Sequence, residues 1–359
     1  LEEFMASSLS SNPSESIHAD VLRLLDRLPN SQHGELIQLV LATIVRMAES
    51  DIDRLDWKIC AASLQDMERA FKTFYPYRHV RKIAIFGSAR ITPDTPEYAL
   101  AAEFAHRVTQ DGFMVITGAG GGIMQAGNEG AGRDKSFGLN IQLPFEQGAN
   151  PFIEGDPKLV PFKYFFTRKL FFLRESDALA LFPGGFGTQD EAFECITLTQ
   201  TGKSAPVPLV LIDKPGGNYW HDWHDYIQKQ LLKRGLISAD DPSLYTITDR
   251  LDVACEAIAN FYRVFHSCRY FGNRLVIRLN SELSDADVEQ LNENFSDILV
   301  KGRIEKSQPL PQEKQDMADG YSHLVMYFNQ RDLGRLYQFI AALNQFGAPT
   351  EERTHPERK

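Results

Sequence analysis

Apolar positions along the chain fall into two alternating rhythms. Short, mostly apolar runs at Lys82–Phe86, Met114–Thr117, Phe137–Ile141, Ala178–Phe182 and Pro208–Ile212 read as strands buried on both faces. Shorter strands are expected near Leu159–Phe162 and Tyr245–Ile247. Between them lie segments with helical spacing: Glu97–Gln110, Ile123 to about Gly132, Thr167–Glu175, Trp220–Lys233 and Leu251–Val264. Strand–helix alternation of this kind predicts an α/β protein with a doubly wound, mostly parallel, Rossmann-like sheet over residues 79–265.

The flanks have a different character. Residues 1–16 are rich in serine and are expected to be disordered. A helical extension follows over 17–78, with Val21, Leu24, Leu25 and Leu28 on one face and a break at Pro29-Asn30. The pattern resumes over Leu36–Met47, then over Asp51–Phe74 through Leu55, Ile59, Leu64, Met67 and Phe71. A helical cap or dimer element packed on the central domain is the expected role of this extension, with core packing as the favoured explanation for each apolar residue. Beyond residue 265 a small α+β appendage is predicted over 266–347, with strands at Leu275–Leu279 and His323–Phe328 and helices at Asp285–Leu299 and Leu333–Leu343. Lys301–Gly320 reads as a polar, proline-bearing linker, and 348–359 as a loose charged tail.

Composition narrows the function classes. The chain has 359 residues, 43% of them hydrophobic and 24% charged, as in a soluble globular protein with a proper core. A formal net charge of −10 argues against a nucleic-acid polymer as partner, although one local pocket can still be positive. Cys60, Cys195, Cys255 and Cys268 show no C-x-x-C spacing and read as reduced, buried thiols of a cytoplasmic protein. The start carries Glu2 and Glu3 with no basic n-region, so no targeting segment is expected. Leu36–Ala48 is interrupted by Gln38 and Arg46 and is too short to span a membrane.

Candidate chemistry gathers at three glycine-bearing turns, 87–90, 118–122 and 184–187, each at the carboxyl end of a predicted strand. Ligands of open α/β sheets bind at those ends. In the third turn a buried strand, Gly184, Gly185 and Gly187, and a helix start bring backbone N–H groups and the helix dipole toward one anion. Glycine suits close approach of a phosphate, or a positive φ. Thr188 is expected as N-cap with Glu191 in the capping-box position. Ser88 and Gly120, Gly121 and Gly122 are expected at the rim of the same pocket, with packing against the sheet as the alternative. Asn128 and Glu129 stand on a helix within reach of the pocket or on a solvated face.

Several chemistries lack their residues. No acidic group ends the strand Phe137–Ile141, which ends in Gln142, so a nicotinamide dinucleotide has no ribose ligand. His221 and His224 have no HExxH register or third ligand, so no metal is expected. No G-x-S-x-G elbow is present, and no lysine stands in a pyridoxal-phosphate context.

PGGFGTQDE at 183–191 resembles the PGGxGTxxE signature of the Lonely Guy family, once labelled "lysine decarboxylase" and associated with nucleoside 5′-monophosphate phosphoribohydrolases. Its second mark, an Arg-Lys pair on the preceding helix, is matched by Arg168-Lys169, and the 23-residue interval from Arg168 to Glu191 also agrees. TGAGGGIMQAGNEGA at 117–131 is similar to the family's TGGGPGIMEAAN-type segment but departs at Ala119 and Gly121. GLNIQLPFEQGANPF at 138–152 looks like a stretch common in bacterial members. The resemblance covers roughly residues 80–265.

It implies a cofactor-free hydrolase that splits AMP or a cytokinin riboside monophosphate into free base and ribose 5-phosphate. Glu191 and Arg168 would be catalytic. Gly184, Gly185, Gly187 and Thr188 would hold the phosphate, and either Lys169 or its neighbour Arg168 would point inward. A homodimer or higher oligomer is also implied. The alternative is the same fold holding a nucleotide or phosphorylated cofactor without turnover, as a sensor.

Overall fold

The computed structural model describes residues 13–142, 148–311 and 320–346. The chain divides between Ala62 and Ser63 into two compact units. The first holds α1 (Pro13–Arg27), α2 (Gly34–Ala48) and the opening turns of α3 (Arg54–Phe74). Residues 13–16, expected to be disordered, form the first turn of α1, while 1–12 lie outside the described residues. The apolar stripes here were expected to be core. Instead Leu36 and Leu55 are 65% and 66% exposed, and Val21 and Leu25 are exposed as well. Within this unit each helix has a stripe but no second layer to bury it against.

The second unit begins within α3. Ser63, Asp66, Ala70 and Phe74 recur at helical spacing and are all buried, so this end of the helix presents one continuous face. The sheet follows: β1 (Lys82–Phe86), α4 (Pro96–Gln110), β2 (Met114–Thr117), α5 (Ile123–Ala131), β3 (Ser136–Ile141), β4 (Leu159–Phe162) and α6 (Phe165–Glu175). Next come β5 (Ala178–Leu181), α7 (Phe186–Gln200), β6 (Leu209–Ile212) and α8 (Tyr219–Tyr226), which widens into a π-helical turn over Ile227–Leu232. β7 (Thr246–Thr248) and α9 (Leu251–Phe261) close the domain.

The seven strands run in the order β4-β3-β2-β1-β5-β6-β7, and every pairing is parallel. Alternate residues of each strand feed opposite cores. Ala84, Phe86, Leu179 and Leu181 pack with Phe74, Phe171 and Phe172 on one face. Ile83, Ile85, Ala178 and Ala180 pack with Phe104, Ala126 and Ile258 on the other. Helices therefore cover both faces, the condition under which an all-parallel sheet is stable.

The appendage is a four-stranded antiparallel sheet in the order β10-β11-β9-β8, built from β8 (Phe265–Phe271), β9 (Arg274–Leu279), β10 (Leu299–Ser307) and β11 (Ser322–Phe328). It packs on α10 (Asp285–Phe295) and α11 (Leu333–Leu343) through a core of its own. Two expectations are corrected here. The helix predicted to reach Leu299 ends at Phe295, and the first part of the predicted linker is β10. Nearly every position of that edge strand is exposed or half-buried and only Ile304 is buried, so it shows no period of two. Tyr337 on α11 holds the sheet domain, donating to the Val207 carbonyl at 2.8 Å and accepting from the Val207 N–H at 2.9 Å. The predicted tail, 348–359, lies outside the described residues.

Candidate active site

From β1 the chain winds outward to β4, then returns to lay β5 on the other side of β1. The switch in strand order lies between β1 and β5, where the connections leave in opposite directions and open a crevice. Hydrogen bonds draw the glycine turns together there. Phe182 donates to the Phe86 carbonyl at 2.8 Å, Ser88 to the Pro183 carbonyl at 3.1 Å, and Ile123 to the Ser88 carbonyl at 3.0 Å. Gly122 has φ +64°, and a Cβ on it would stand 2.2 Å from the Ser88 oxygen. The three expected turns thus meet at Ser88.

The third turn differs locally from the sequence expectation. Thr188 is not an N-cap and Glu191 makes no capping box: α7 starts at Phe186, with Gly185 as a cap residue that has no side chain to offer. Nor do Gly184, Gly185 and Gly187 take positive φ. Gly184 is required by close packing, because a Cβ there would lie 2.1 Å from the Thr188 hydroxyl oxygen and 3.0 Å from the Ser88 nitrogen. Tyr219 pins the turn by donating to the Gly184 carbonyl at 2.6 Å. Around Gly185 and Gly187 nothing of the protein comes within 4 Å of an added Cβ. The first N–H groups of α7 have no carbonyl one turn back within the helix, so they open onto this free space with the positive end of the dipole.

Glu191 lies five residues into α7, on the helical face shared by Gly187 and Thr188. It is only 5% exposed, and its Oε2 has no hydrogen-bond partner among the described residues. Burial pushes its carboxyl up to about 7, against the pull of the Lys169 and Arg168 charges, with Glu194 and Asp190 adding a smaller upward push. Both cations project from α6. The Arg168 guanidinium lies 5.0 Å from the Phe165 ring and 5.7 Å from the Phe172 ring, and a Cβ on Gly118 would be 3.9 Å from its Nη1. It therefore reaches the turn after β2. Lys169, which the resemblance allows to point inward in place of Arg168, is held by two carboxylates of α7, Asp190 at 2.8 Å and Glu194 at 2.5 Å. Burial lowers its affinity for the proton, but those two partners raise it further and keep the ammonium charged.

The remaining candidates separate cleanly. Asn128 is fully buried, accepting from Thr117 Oγ1 at 2.7 Å and Asn150 Nδ2 at 2.9 Å. Asn150 in turn donates to the Gly120 carbonyl at 3.1 Å, so Asn128 shapes the 118–122 turn from behind. Ala119, where the similar family segment has glycine, holds φ +63° and is fixed by the Thr117 hydroxyl at 3.0 Å and by Asn150 N–H at 2.8 Å. Gly120 carries the methyl end of Met124 against it, and Gly121 is exposed. Glu129 is exposed and accepts from the Tyr98 hydroxyl at 2.5 Å. His224 bonds Tyr245 and Gln228 through its two ring nitrogens.

One positioning residue has no signal in the sequence. Asp66, fully buried on α3, accepts from Thr167 Oγ1 at 2.9 Å and from the backbone N–H of Lys163 and Tyr164. It caps α6 from outside and fixes the helix that carries Arg168. Its only mark in the sequence is a carboxylate on the apolar side of a helical stripe.

Residues 121–258 match the model of a family described as "Possible lysine decarboxylase". The matched segment lies within the sheet domain. It runs from the 118–122 turn through Arg168, Lys169 and Glu191 into α9, the same motifs on which the Lonely Guy resemblance rests. None of the curated proteins compared with the chain matches it. Similar solved structures include a molybdenum cofactor binding protein from Rippkaea orientalis, 16% identical over 50% of this chain and 96% of that one, with a TM-score of 0.35. The molybdenum cofactor carrier protein of Chlamydomonas reinhardtii is 17% identical over the same shares, with a TM-score of 0.35. DNA processing protein A from Helicobacter pylori is 15% identical over 50% of this chain and 81% of that one, with a TM-score of 0.33. Among the described residues no helix is long and apolar enough to cross a membrane.

Proposed function

We propose that the sheet domain hydrolyses the N-glycosidic bond of a nucleoside 5′-monophosphate, releasing the base and ribose 5-phosphate. The observation that carries this reading is Glu191: a buried carboxylate with an unpartnered oxygen, beside two cations, on the helix whose open N-terminus suits a phosphate. An anion-binding site with no catalytic task would gain nothing from a carboxylate there.

The 5′-phosphate lies on the N–H groups of Phe186, Gly187 and Thr188, where Gly185 and Gly187 leave room. Glu191 then lies about 7.5 Å further along the helix axis, at the distance of the far side of a ribose. Bond cleavage develops positive charge at C1′ and O4′, which an ionised Glu191 stabilises. Water attacks C1′ and gives a proton to Glu191, the C1′–N bond breaks with its electrons on the base, and the base takes up a proton from solvent as Glu191 returns its own. A carboxyl titrating near neutrality suits that exchange. Arg168 holds the sugar phosphate or the carboxylate in register, and Lys169 tunes Glu191 through its charge.

The test is incubation with a panel of nucleoside 5′-monophosphates and the matching nucleosides, following free base by chromatography. Base release from monophosphates alone is the expected result. Binding of a monophosphate without release of base would favour the sensor reading instead.

A further inference from the structure

A second cleft opens at the amino ends of the strands, away from the glycine turns. Its volume is about 550 Å³, and its walls include Arg81, Ser176, Leu170, Glu194, Val207 and His266. They come from the starts of β1, β5 and β6, from α6 and α7, and from β8 of the appendage.

Two of these residues each carry a polar atom with no hydrogen-bond partner among the described residues. Arg81 is 5% exposed, and its Nε has no hydrogen-bond partner. Its guanidinium stacks 3.6 Å from the centre of the Tyr262 ring, and Nη2 reaches the His266 carbonyl only at 3.5 Å. Neither contact supplies a compensating negative charge, and a buried cation without one is costly. Ser176 is also 5% exposed, and its Oγ has no partner. The acids lining the cleft are engaged elsewhere: Asp177 Oδ2 accepts from Lys82 N–H at 3.0 Å, and Glu194 holds Lys169. Leu170 and Val207 give the cavity an apolar side.

We propose that this cleft is an effector site for a small amphipathic oxyanion. Its acidic head lies on Arg81 and Ser176, and a flat apolar body lies along Leu170 and Val207. A carboxylate and a phosphate monoester share the required chemistry. The cleft also reaches the candidate active site through one side chain. Glu194 lines it and bonds Lys169 at 2.5 Å, and Lys169 acts on Glu191. An occupant that moves Glu194 changes the charge balance at Glu191. This effect on turnover rests on the hydrolase reading; binding in the cleft does not.

The experiment is calorimetric titration of the full chain with phenyl phosphate and with phenylacetate, which separate the two sources of the oxyanion. Wild type is compared with Arg81→Met, Ser176→Ala and Arg168→Ala. At least one probe is expected to bind, with Arg81→Met weakening it by about tenfold or more, Ser176→Ala by a smaller factor, and Arg168→Ala leaving it unchanged. Binding lost in Arg168→Ala but kept in Arg81→Met assigns the probe to the α7 turn and overturns the proposal, as does failure of both probes to bind wild type. Ala205→Trp provides a second route, because Ala205 is exposed and lines the cleft. A folded Ala205→Trp protein that binds the probe as wild type does also overturns the site. Probe binding by a chain that releases no base supports the cleft and removes the hydrolase reading alone.

Discussion

Asp66 and Thr167, 101 positions apart, share a 2.9 Å hydrogen bond that fixes the start of the helix carrying Arg168. The same carboxylate oxygen accepts from Lys163 N–H at 3.0 Å and Tyr164 N–H at 3.4 Å, while its other oxygen holds Arg69 at 2.6 Å. Asp66→Ala strands the buried Thr167 hydroxyl and two part-buried N–H groups and is expected to cost roughly 1–3 kcal/mol in denaturant unfolding. Base release should fall further than the loss of folded protein explains, and Asp66→Asn, which keeps one acceptor, should recover part of it. Equal activity per folded molecule in both variants would show that α6 holds Arg168 without this cap.

Glu191→Gln is expected to reduce turnover by roughly 10²-fold or more while leaving nucleotide binding largely intact. Its effect on stability has a definite sign. Burial raises the folded-state carboxyl from the ordinary 4.5 to about 7, so the folded protein keeps this proton longer than the unfolded chain does. Stability from this group is therefore full below about pH 4.5 and is lost as pH rises to about 7, at about 1.4 kcal/mol per pH unit between them. Glutamine removes that loss. The variant should melt higher than wild type at pH 8, and the gap should close toward pH 4. Wild-type turnover should rise through about pH 7 as Glu191 ionises. A variant that melts below wild type at pH 8 would mean that Glu191 is not held in an unfavourable environment.

Gly187→Ala and Gly184→Ala separate packing from ligand approach. The Gly187 position is open and helical, so alanine should stabilise the fold by roughly 0.5–1 kcal/mol. It also places a methyl group where the phosphate would lie, and monophosphate binding should weaken. Gly184→Ala drives a methyl group into the Thr188 hydroxyl oxygen and should destabilise the fold itself. Thermal melts beside monophosphate titrations check both. Undiminished affinity in Gly187→Ala would move the phosphate away from α7.

Asn128→Ala removes the acceptor shared by Thr117 and Asn150 inside a fully buried cluster. Two stranded donors should cost roughly 2–4 kcal/mol. The 118–122 turn should loosen because Asn150 is also its link to Gly120. Hydrogen exchange across that turn reads the effect directly, and unchanged protection would show that the turn does not depend on this cluster.

Much of this architecture was legible in the chain. Continuous apolar runs such as Ala178–Leu181 can be satisfied only between two covered faces, which is why they predicted a parallel sheet with helices on both sides. The glycine turns were found for a related reason, since a strand that stops in several glycines leaves its backbone accessible. Local rules failed where a contact from elsewhere decided the outcome. Thr188 followed by Glu191 satisfies the capping-box spacing, yet Gly184 brings Thr188 against the turn and the helix begins earlier. Lys169 stands beside Arg168 in the motif, and its pairing with Asp190 and Glu194 on another helix has no mark in the local spacing.

What the sequence determined by itself is the period of its elements, the places where glycine admits sharp turns, and the motif pair Arg168-Lys169 and Glu191. The periods and the turns follow from residue-level sterics and burial, which act over a few positions, and the motif pair is what the Lonely Guy resemblance implies. Only the tertiary structure decided that Ser88, Gly122 and Pro183 form one junction, that Asp66 belongs to the helix of Arg168, and that Arg81 and Ser176 share a cleft. Those relationships depend on the order in which parallel strands are laid beside β1. Strand order is set by the joint packing of the whole sheet, and no local spacing encodes it.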